Sequence, residues 1–462
     1  MVGLIPYIDG VIFKKNYYHF VDVMNKDGHI NVTILNYQRG WMNSCAKIRI
    51  TINKNLFDFY QPSPIVTPLI SFIIEENIIH GPIVYDRIKN RFKLGYANIE
   101  SNIFLTDALK KMLPGMFIGP DIIFADMLSE FDGDWSGHVL IHPLAFTLQN
   151  VGNITWEGVD SDFKIGIRNE HIKHIRNDLS SGLFVIDINN SAIKKILIEP
   201  VQYSYDVARQ KTGLWSGNSK IDMLGFMITR SNGPMISSNK LSLQSTFSMD
   251  ETTFYNTNLS IFFDDLKIPD YFISDISTFR LMVRANNFST HGLNEYLTNL
   301  TPTILPVLDL NQIETMLAHT VTTTSDIHGS INFSSSLGNM TTKFKIDWEP
   351  NVPAPDTISN IITGTYTEAD VTASKPFIIK LLDMYMNGSQ FKNQLMDQKT
   401  PASAELNLKD DPKQSATKTP QESLIGLEII GYVSKDKEDN YSTEFTVKNG
   451  IPKINGRDLL HK

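Results

Sequence analysis

Apolar and polar residues alternate with a period of two along much of this chain. Ile30, Val32 and Ile34 show it first, followed by Ile48, Ile50 and Ile52 with Lys47, Arg49 and Thr51 between them. Successive side chains of a strand point to opposite faces, so each stretch predicts a strand with one apolar and one polar face. The signature returns at Phe344, Ile346 and Trp348 between lysines and Asp347, and at Tyr441, Thr443, Phe445 and Val447 between Ser442, Glu444, Thr446 and Lys448. Strands of this kind belong to antiparallel sheets. Less regular runs rich in β-branched and aromatic residues, Gly182 to Ile188 and Leu259 to Ile268, read as further strands bounded by turn residues.

Helical spacing is confined to a few places. Phe13, Tyr17, Phe20 and Met24 form a stripe that Asp9 can cap and Asp27-Gly28 ends. A second helix is expected over Leu310 to Val321, with Asn311 and Glu314 as a capping box, and a third from near Ser374, with Pro376 in its first turn and Asn387-Gly388 at its close. Residues 398–422, rich in Lys, Asp, Ser, Thr and Pro, read as a loose polar insert. The fold class expected is therefore mainly β with some α: an elongated, curved, mostly antiparallel sheet with helices packed on its inner face. The organisation expected is an N-terminal helix over residues 1–28, a β-rich lobe over 29–230 and a second over 231–462.

The chain's 462 residues are long enough for a sizeable core. The net charge of −8 leaves no basic excess to displace phosphate counterions, which excludes nucleic acid as a partner. The single cysteine, Cys45, excludes an intrachain disulfide framework and a Cys-rich metal site. No stretch reaches the roughly 20 apolar residues that span a bilayer, so the chain as it stands is expected to be soluble.

Three segments carry a family resemblance. The first is Asn36-Tyr-Gln-Arg-Gly-Trp-Met-Asn-Ser44, which contributes Tyr37, Arg39, Gly40, Trp41 and Ser44, followed by Ile79-His-Gly-Pro82 with His80, Gly81 and Pro82. The second is Gly213-Leu-Trp-Ser-Gly217, with Gly213, Trp215 and Gly217. The third is C-terminal, with Gly431, Tyr432, Asn449, Gly450, Asn455 and Gly456 around the Tyr441 to Val447 strand. In order and spacing these resemble the YdgA-like bacterial family, defined by domain of unknown function 945, from end to end. The resemblance implies a chain held at the periplasmic face of the Gram-negative inner membrane by one N-terminal helix. This sequence starts at Met1-Val-Gly-Leu-Ile-Pro-Tyr7, where the family's anchor ends, so the anchor is expected to have been removed ahead of it.

Candidate chemistry is sparse. His171 and His174 sit three apart without a third ligand signal, and no metal or cofactor is expected. Arg39 and Trp41 suit either recognition of an anionic or sugar group or a structural role, with Gly40 at a strand bend, Trp41 closing the core and Arg39 paired to a carboxylate. Gly213 to Gly217 lacks the Lys-Ser/Thr of a phosphate loop and reads as a turn. Ser44, Cys45 and His80 lack a nucleophile elbow or a cysteine-type signature, and Cys45 reads as a small side chain on a half-buried strand. Asp132, Asp134, Asp264 and Asp265 read as solvated turn residues rather than an acid–base pair. No catalytic residue is assigned. The function expected is a non-catalytic binding or scaffolding role in the cell envelope, with an apolar or amphipathic ligand such as an envelope lipid, or a periplasmic protein partner, and with a homodimer allowed by open sheet edges. The competing expectation is an envelope glycan or lipid hydrolase using His80 and a distant carboxylate.

Overall fold

The computed structural model describes residues 4–26, 30–52, 70–86, 91–106, 123–148, 152–168, 171–189, 192–231, 233–250, 253–269, 275–299, 319–348, 364–387, 419–448 and 450–459. Helix α1 (Leu4–Lys26) leads into β1 (Ile30–Arg39), β2 (Asn43–Ile52) and β3 (Ile70–His80). A small hairpin of β4 (Ile83–Asp86) and β5 (Arg91–Leu94) follows, then β6 (Ala97–Leu105), β7 (Ile123–Ser129) and β8 (Asp134–Ile141). The rest is strand-rich to its end, with α2 (Thr290–Asn299), α3 (Lys375–Asn387) and α4 (Pro420–Ile429). Among the described residues, all strands but β4 and β5 join a 26-stranded sheet. Its pairings are antiparallel, and the sheet continues across residue 230, where Phe226–Arg230 pairs with Gly233–Ser238. The expected β-rich antiparallel architecture is observed.

Register carries the alternation across the whole sheet. Tyr37 lies opposite Ala46, Ala46 opposite Glu76, Glu76 opposite Ser101 and Ser101 opposite Ala125. The same row continues through Leu179, Tyr203, Ile221, Leu243, Ile261, Leu281 and Ile331. Paired residues share a face, so this row defines an apolar side. The neighbouring phase runs through Glu100, Asp126, His138, Asp162, Asp178, Ser204 and Lys220 and defines a polar side. Each strand is amphipathic, and the meander sums these patterns into one amphipathic sheet.

A break line crosses the middle of the sheet. His142-Pro143, Glu157-Gly158, Gly182-Leu183, Glu199-Pro200 and Leu224-Gly225 each interrupt a long strand at the same level. Proline has no N–H for the ladder, and at Gly158, with φ of +95°, a Cβ would come 2.1 Å from the Ile141 oxygen. The line remains hydrogen-bonded, as in Glu157 N–H to Leu183 O at 2.9 Å and Glu199 N–H to Gly225 O at 2.9 Å. Beyond it, Trp156, Phe184, Ile198 and Phe226 form a further apolar row. Trp156 Nε1 donates to Ser181 Oγ at 3.0 Å, which joins that row to the apolar side of the main ladder.

Two cores sit on the apolar side. Under α1, Phe13, Tyr17 and Val21 pack on Val32, Ile48, Ile74, Ile78 and Ile99. Under α3, Phe377 packs on Phe333 and Ala373, with Leu381 and Met340 beside them. Helix α1 starts earlier than its stripe predicts, so Asp9 is buried within it and caps nothing. Helix α4 was not expected: Thr419 and Glu422 form a reciprocal capping box at its start, inside the stretch read as loose. The remainder of that stretch, most of the helix expected over 310–321, and Asn449 lie outside the described residues.

Candidate functional site

Tight turns after β1 and β3 place the first group of motif residues at one corner of the sheet, against α1. Gly40 N–H donates to Asn43 O at 2.7 Å in the β1–β2 turn, and Gly81 N–H donates to Tyr96 O at 2.8 Å after β3. Both glycines are required by space, since a Cβ would lie 2.7 Å from Asn43 O at Gly40 and 1.8 Å from Gly95 O at Gly81. The Gly81–Pro82 peptide is cis. These turns bring Ser44 and His80 together below α1, where Ser44 Oγ and His80 Nε2 are 2.8 Å apart and both residues are buried. Gly10 of α1 lies directly over the imidazole, and a Cβ there would come 2.9 Å from Nε2.

Among the described residues Arg39 has no carboxylate partner. Its guanidinium stacks over the Tyr7 ring at 4.3 Å and donates to the Tyr7 hydroxyl at 2.9 Å. Trp41 is 54% exposed and sits 5.0 Å from the same ring, so it closes no core. Cys45 is exposed on the polar phase of β2. Tyr37 packs 5.7 Å from Tyr17, and burial pushes its phenol upward.

The corner also holds a pair that motif reading missed. Tyr17 of α1 donates to Glu76 Oε2 at 2.5 Å, and both are buried in the apolar cluster. Burial pushes the Glu76 carboxyl up to about 7, against the opposing effect of the tyrosine hydrogen bond. Burial, the facing Glu76 and their hydrogen bond push Tyr17 strongly upward. His80 is held below its ordinary value by burial and by the nearby Arg39 charge. The signal for Glu76 was legible: Ile74-x-Glu76-x-Ile78 places an acid in the buried phase of a strand.

This arrangement holds a helix to a sheet. Ser44 is 2% and His80 3% exposed, and among the described residues His80 hydrogen-bonds a hydroxyl rather than a carboxylate and none of the described cavities is lined by either residue. The remaining motif residues lie elsewhere. Gly213, with φ of +94°, donates to Gln210 O at 3.0 Å in a turn, while Trp215 and Gly217 begin the strand after it. Gly431, Gly450 and Gly456 all have φ near +74° at the close of α4 and in the last hairpins. Asn455 Nδ2 donates to Gly431 O at 3.1 Å, and Tyr432 O accepts from Thr443. These are backbone roles, and they do not converge with the corner.

Other acid and histidine candidates are internally matched. Glu130, Asp132 and Asp134 bring carboxylate oxygens within 4.8 Å of one another. Asp134 is buried rather than solvated and pairs with Arg168 at 2.8 Å and Lys164 at 3.2 Å, so two cations offset most of the charge of the three carboxylates. Asp265 pairs with Lys267, and His174 with Asp206 at 2.9 Å; the His171 side chain lies outside the described set.

The largest of the described cavities, about 1030 Å³, opens on the polar side between Gln244 and Asp370. Its lining departs from the expected Ile, Leu, Phe and Met because the apolar phase faces the other way. A second of about 550 Å³, lined by Asp126, His138, Asp162 and Lys164, is flanked by Arg91 and Lys93 of β5. A third of about 370 Å³, near Ile327, Ile346 and Trp348, is apolar.

A family model described as a bacterial protein of unknown function, DUF945, matches residues 1–460. No curated protein and no solved structure matches the chain.

Proposed function

Because the chain belongs to the bacterial DUF945 family of unknown function, we propose for it a non-catalytic binding or scaffolding role at the periplasmic face of the cell envelope, with an apolar or amphipathic ligand on the apolar side of its sheet. One observation carries this reading. The apolar side runs unbroken through Tyr203, Ile221, Leu243, Ile261 and Leu281, and past the break line through Trp156, Phe184 and Phe226. The described helices that build cores on it cover only the two ends. Apolar surface on this scale is a binding signature in a water-facing protein, and acyl chains or an amphipathic helix match its chemistry. No described helix is long and apolar enough to cross a membrane, and attachment through a preceding anchor forms part of the proposal. Hydrolysis is disfavoured because Ser44 and His80 are sealed beneath α1.

The test is native mass spectrometry of the protein purified from a bacterial membrane fraction, followed by organic extraction and lipid analysis. The expected result is a lipid at defined stoichiometry that is lost in Leu243→Asp and retained in Gln244→Asp, one residue along on the opposite face. A clean apoprotein mass, or equal loss in both variants, overturns the reading.

A further inference from the structure

The sheet's polar side is the reverse of the surface used above, and it holds its own cavity. We infer that the trough of about 1030 Å³ there is a second binding site, for an acidic oligosaccharide. Its floor is built from strands in register. One row runs Thr246, Asn258, Arg284, His328, Lys345, Glu368, and the row beside it Gln244, Ser260, Met282, Ser330, Lys343, Asp370. The trough is thus graded across its width, from amides and hydroxyls, through a stripe of cations, to carboxylates.

Two of the cations are available to a ligand. Lys345 is committed to Asp347, and His328 to Asp326 at 2.9 Å. Arg284 instead donates Nε to Asn258 Oδ1 at 2.7 Å, and Asn258 in turn donates to Thr246 Oγ1 at 3.0 Å. That chain fixes the guanidinium while its terminal N–H groups have no partner among the described residues. Lys343 likewise has no ion-pair partner among them. Arg284 and Lys343 are both exposed. They lie on strands separated by one other and in neighbouring rows two residues apart, hence about 12 Å apart from the strand spacing and rise.

The ligand class follows from what this floor can recognise. These strands lie inside the sheet with their backbone groups already paired on both sides, so a peptide cannot add as a strand and recognition must go through side chains. Nucleic acid would need a run of stacking aromatics and a basic excess, and the two floor rows offer no Phe, Tyr or Trp and only the one imidazole of His328, which is paired with Asp326. A chain rich in hydroxyls and bearing carboxylates fits every zone. Gln244, Asn258 and Ser260 would bond hydroxyls, Arg284 and Lys343 would hold the acidic groups, and Glu368 and Asp370 would accept from hydroxyls on the far side. The volume is at the upper end of that of ligand pockets.

The test is titration calorimetry on the full chain with hexagalacturonate and with neutral cellohexaose. Binding of the acidic chain that weakens with salt, little binding of the neutral one, and a loss of at least about tenfold in Arg284→Glu and in Lys343→Glu are expected. Lys435→Glu, in another strand and paired with Asp439, should leave the affinity unchanged. Should either charge reversal fail to fold by circular dichroism, Arg284→Gln and Lys343→Gln provide the same reading. Absence of binding, equal binding of both sugars, or affinity indifferent to both cation changes overturns the inference. None of these outcomes depends on whether the apolar side carries lipid.

Discussion

The two ends of the sheet are built alike and differ in what they bury. At each, one amphipathic helix lays an aromatic on the apolar side: Phe13 on Ile78 and Ile99 at the N-terminal end, Phe377 on Phe333 and Ala373 at the C-terminal end. Among the described residues the C-terminal cluster encloses no buried ionisable group. The N-terminal one encloses Glu76, Ser44 and His80, with Tyr17 reaching down to the acid. Helix docking therefore needs no ionisable group, and the N-terminal end has tied its helix to groups whose charge depends on pH. The Tyr37-to-Ser44 and His80-to-Pro82 motif residues gather at that same end.

Removing the aromatics should break both ends and show whether they are one unit. Phe13→Ala and Phe377→Ala should each cost about 3–5 kcal/mol of local stability, as large truncations in cores do. In a meander, neighbouring strands contact mainly each other, so hydrogen exchange should rise around β1 to β3 for the first and around Asn440–Lys448 for the second. Equal rises at both ends in either variant would show a single cooperative sheet.

The pH dependence sharpens the contrast. The Glu76 carboxyl is raised from 4.5 to about 7, so between those values the folded state holds a proton that the unfolded state has released. Its contribution is complete below 4.5 and is lost as pH climbs through about 7, by a few kcal/mol at about 1.4 kcal/mol per unit. His80 runs the other way. Its folded value lies below 6.5, so its contribution is complete above 6.5 and is lost as pH falls. Exchange protection around α1 should decline from pH 5 to pH 8, and Glu76→Gln should abolish that decline and leave the opposite slope of His80. Protection under α3 should not follow either change. A decline that persists in Glu76→Gln would place its source elsewhere.

Within the corner, Ser44→Ala tests the hydroxyl–imidazole contact. It leaves a buried histidine nitrogen without its partner, and about 1–3 kcal/mol should be lost at the N-terminal end as read by denaturant midpoint. A Ser44→Ala midpoint equal to that of the parent would mean that the imidazole is satisfied without the serine.

Much of this was legible in the residues. Alternation at Ile48 to Ile52 or Tyr441 to Val447 specifies strands because a half-buried ladder needs it, and turn glycines such as Gly40 and Gly213 announce the connections. Glu76 was legible too, as an acid out of phase in its strand. Three things were not. The break line is written in Pro143, Gly158 and Pro200, but that these fall at one level depends on register, which is a relation between strands. Helix α4 is hidden because its capping box sits in a polar stretch whose composition resembles a linker. The burial of Asp9 and the exposure of Trp41 depend on where α1 docks, which local patterns do not encode.

The smallest effect is also the most direct comparison of the two ends, because each has a glycine inside a helix. Replacing a helix-interior glycine by alanine ordinarily gains about 0.5–1 kcal/mol through backbone entropy. At Gly426 of α4 nothing outside the helix lies within 4 Å of the new methyl among the described residues, so that gain should appear in full as a raised denaturation midpoint. At Gly10 the methyl would meet the His80 ring at 2.9–3.1 Å, closer than carbon and nitrogen tolerate. Either the helix lifts or the imidazole turns away from Ser44, and both outcomes cost more than the entropy returns. Gly10→Ala should therefore destabilise, by up to about 1 kcal/mol, opposite in sign to Gly426→Ala. A gain at both positions would mean that α1 rides higher over His80 than its contacts indicate, and that the N-terminal end is the looser of the two.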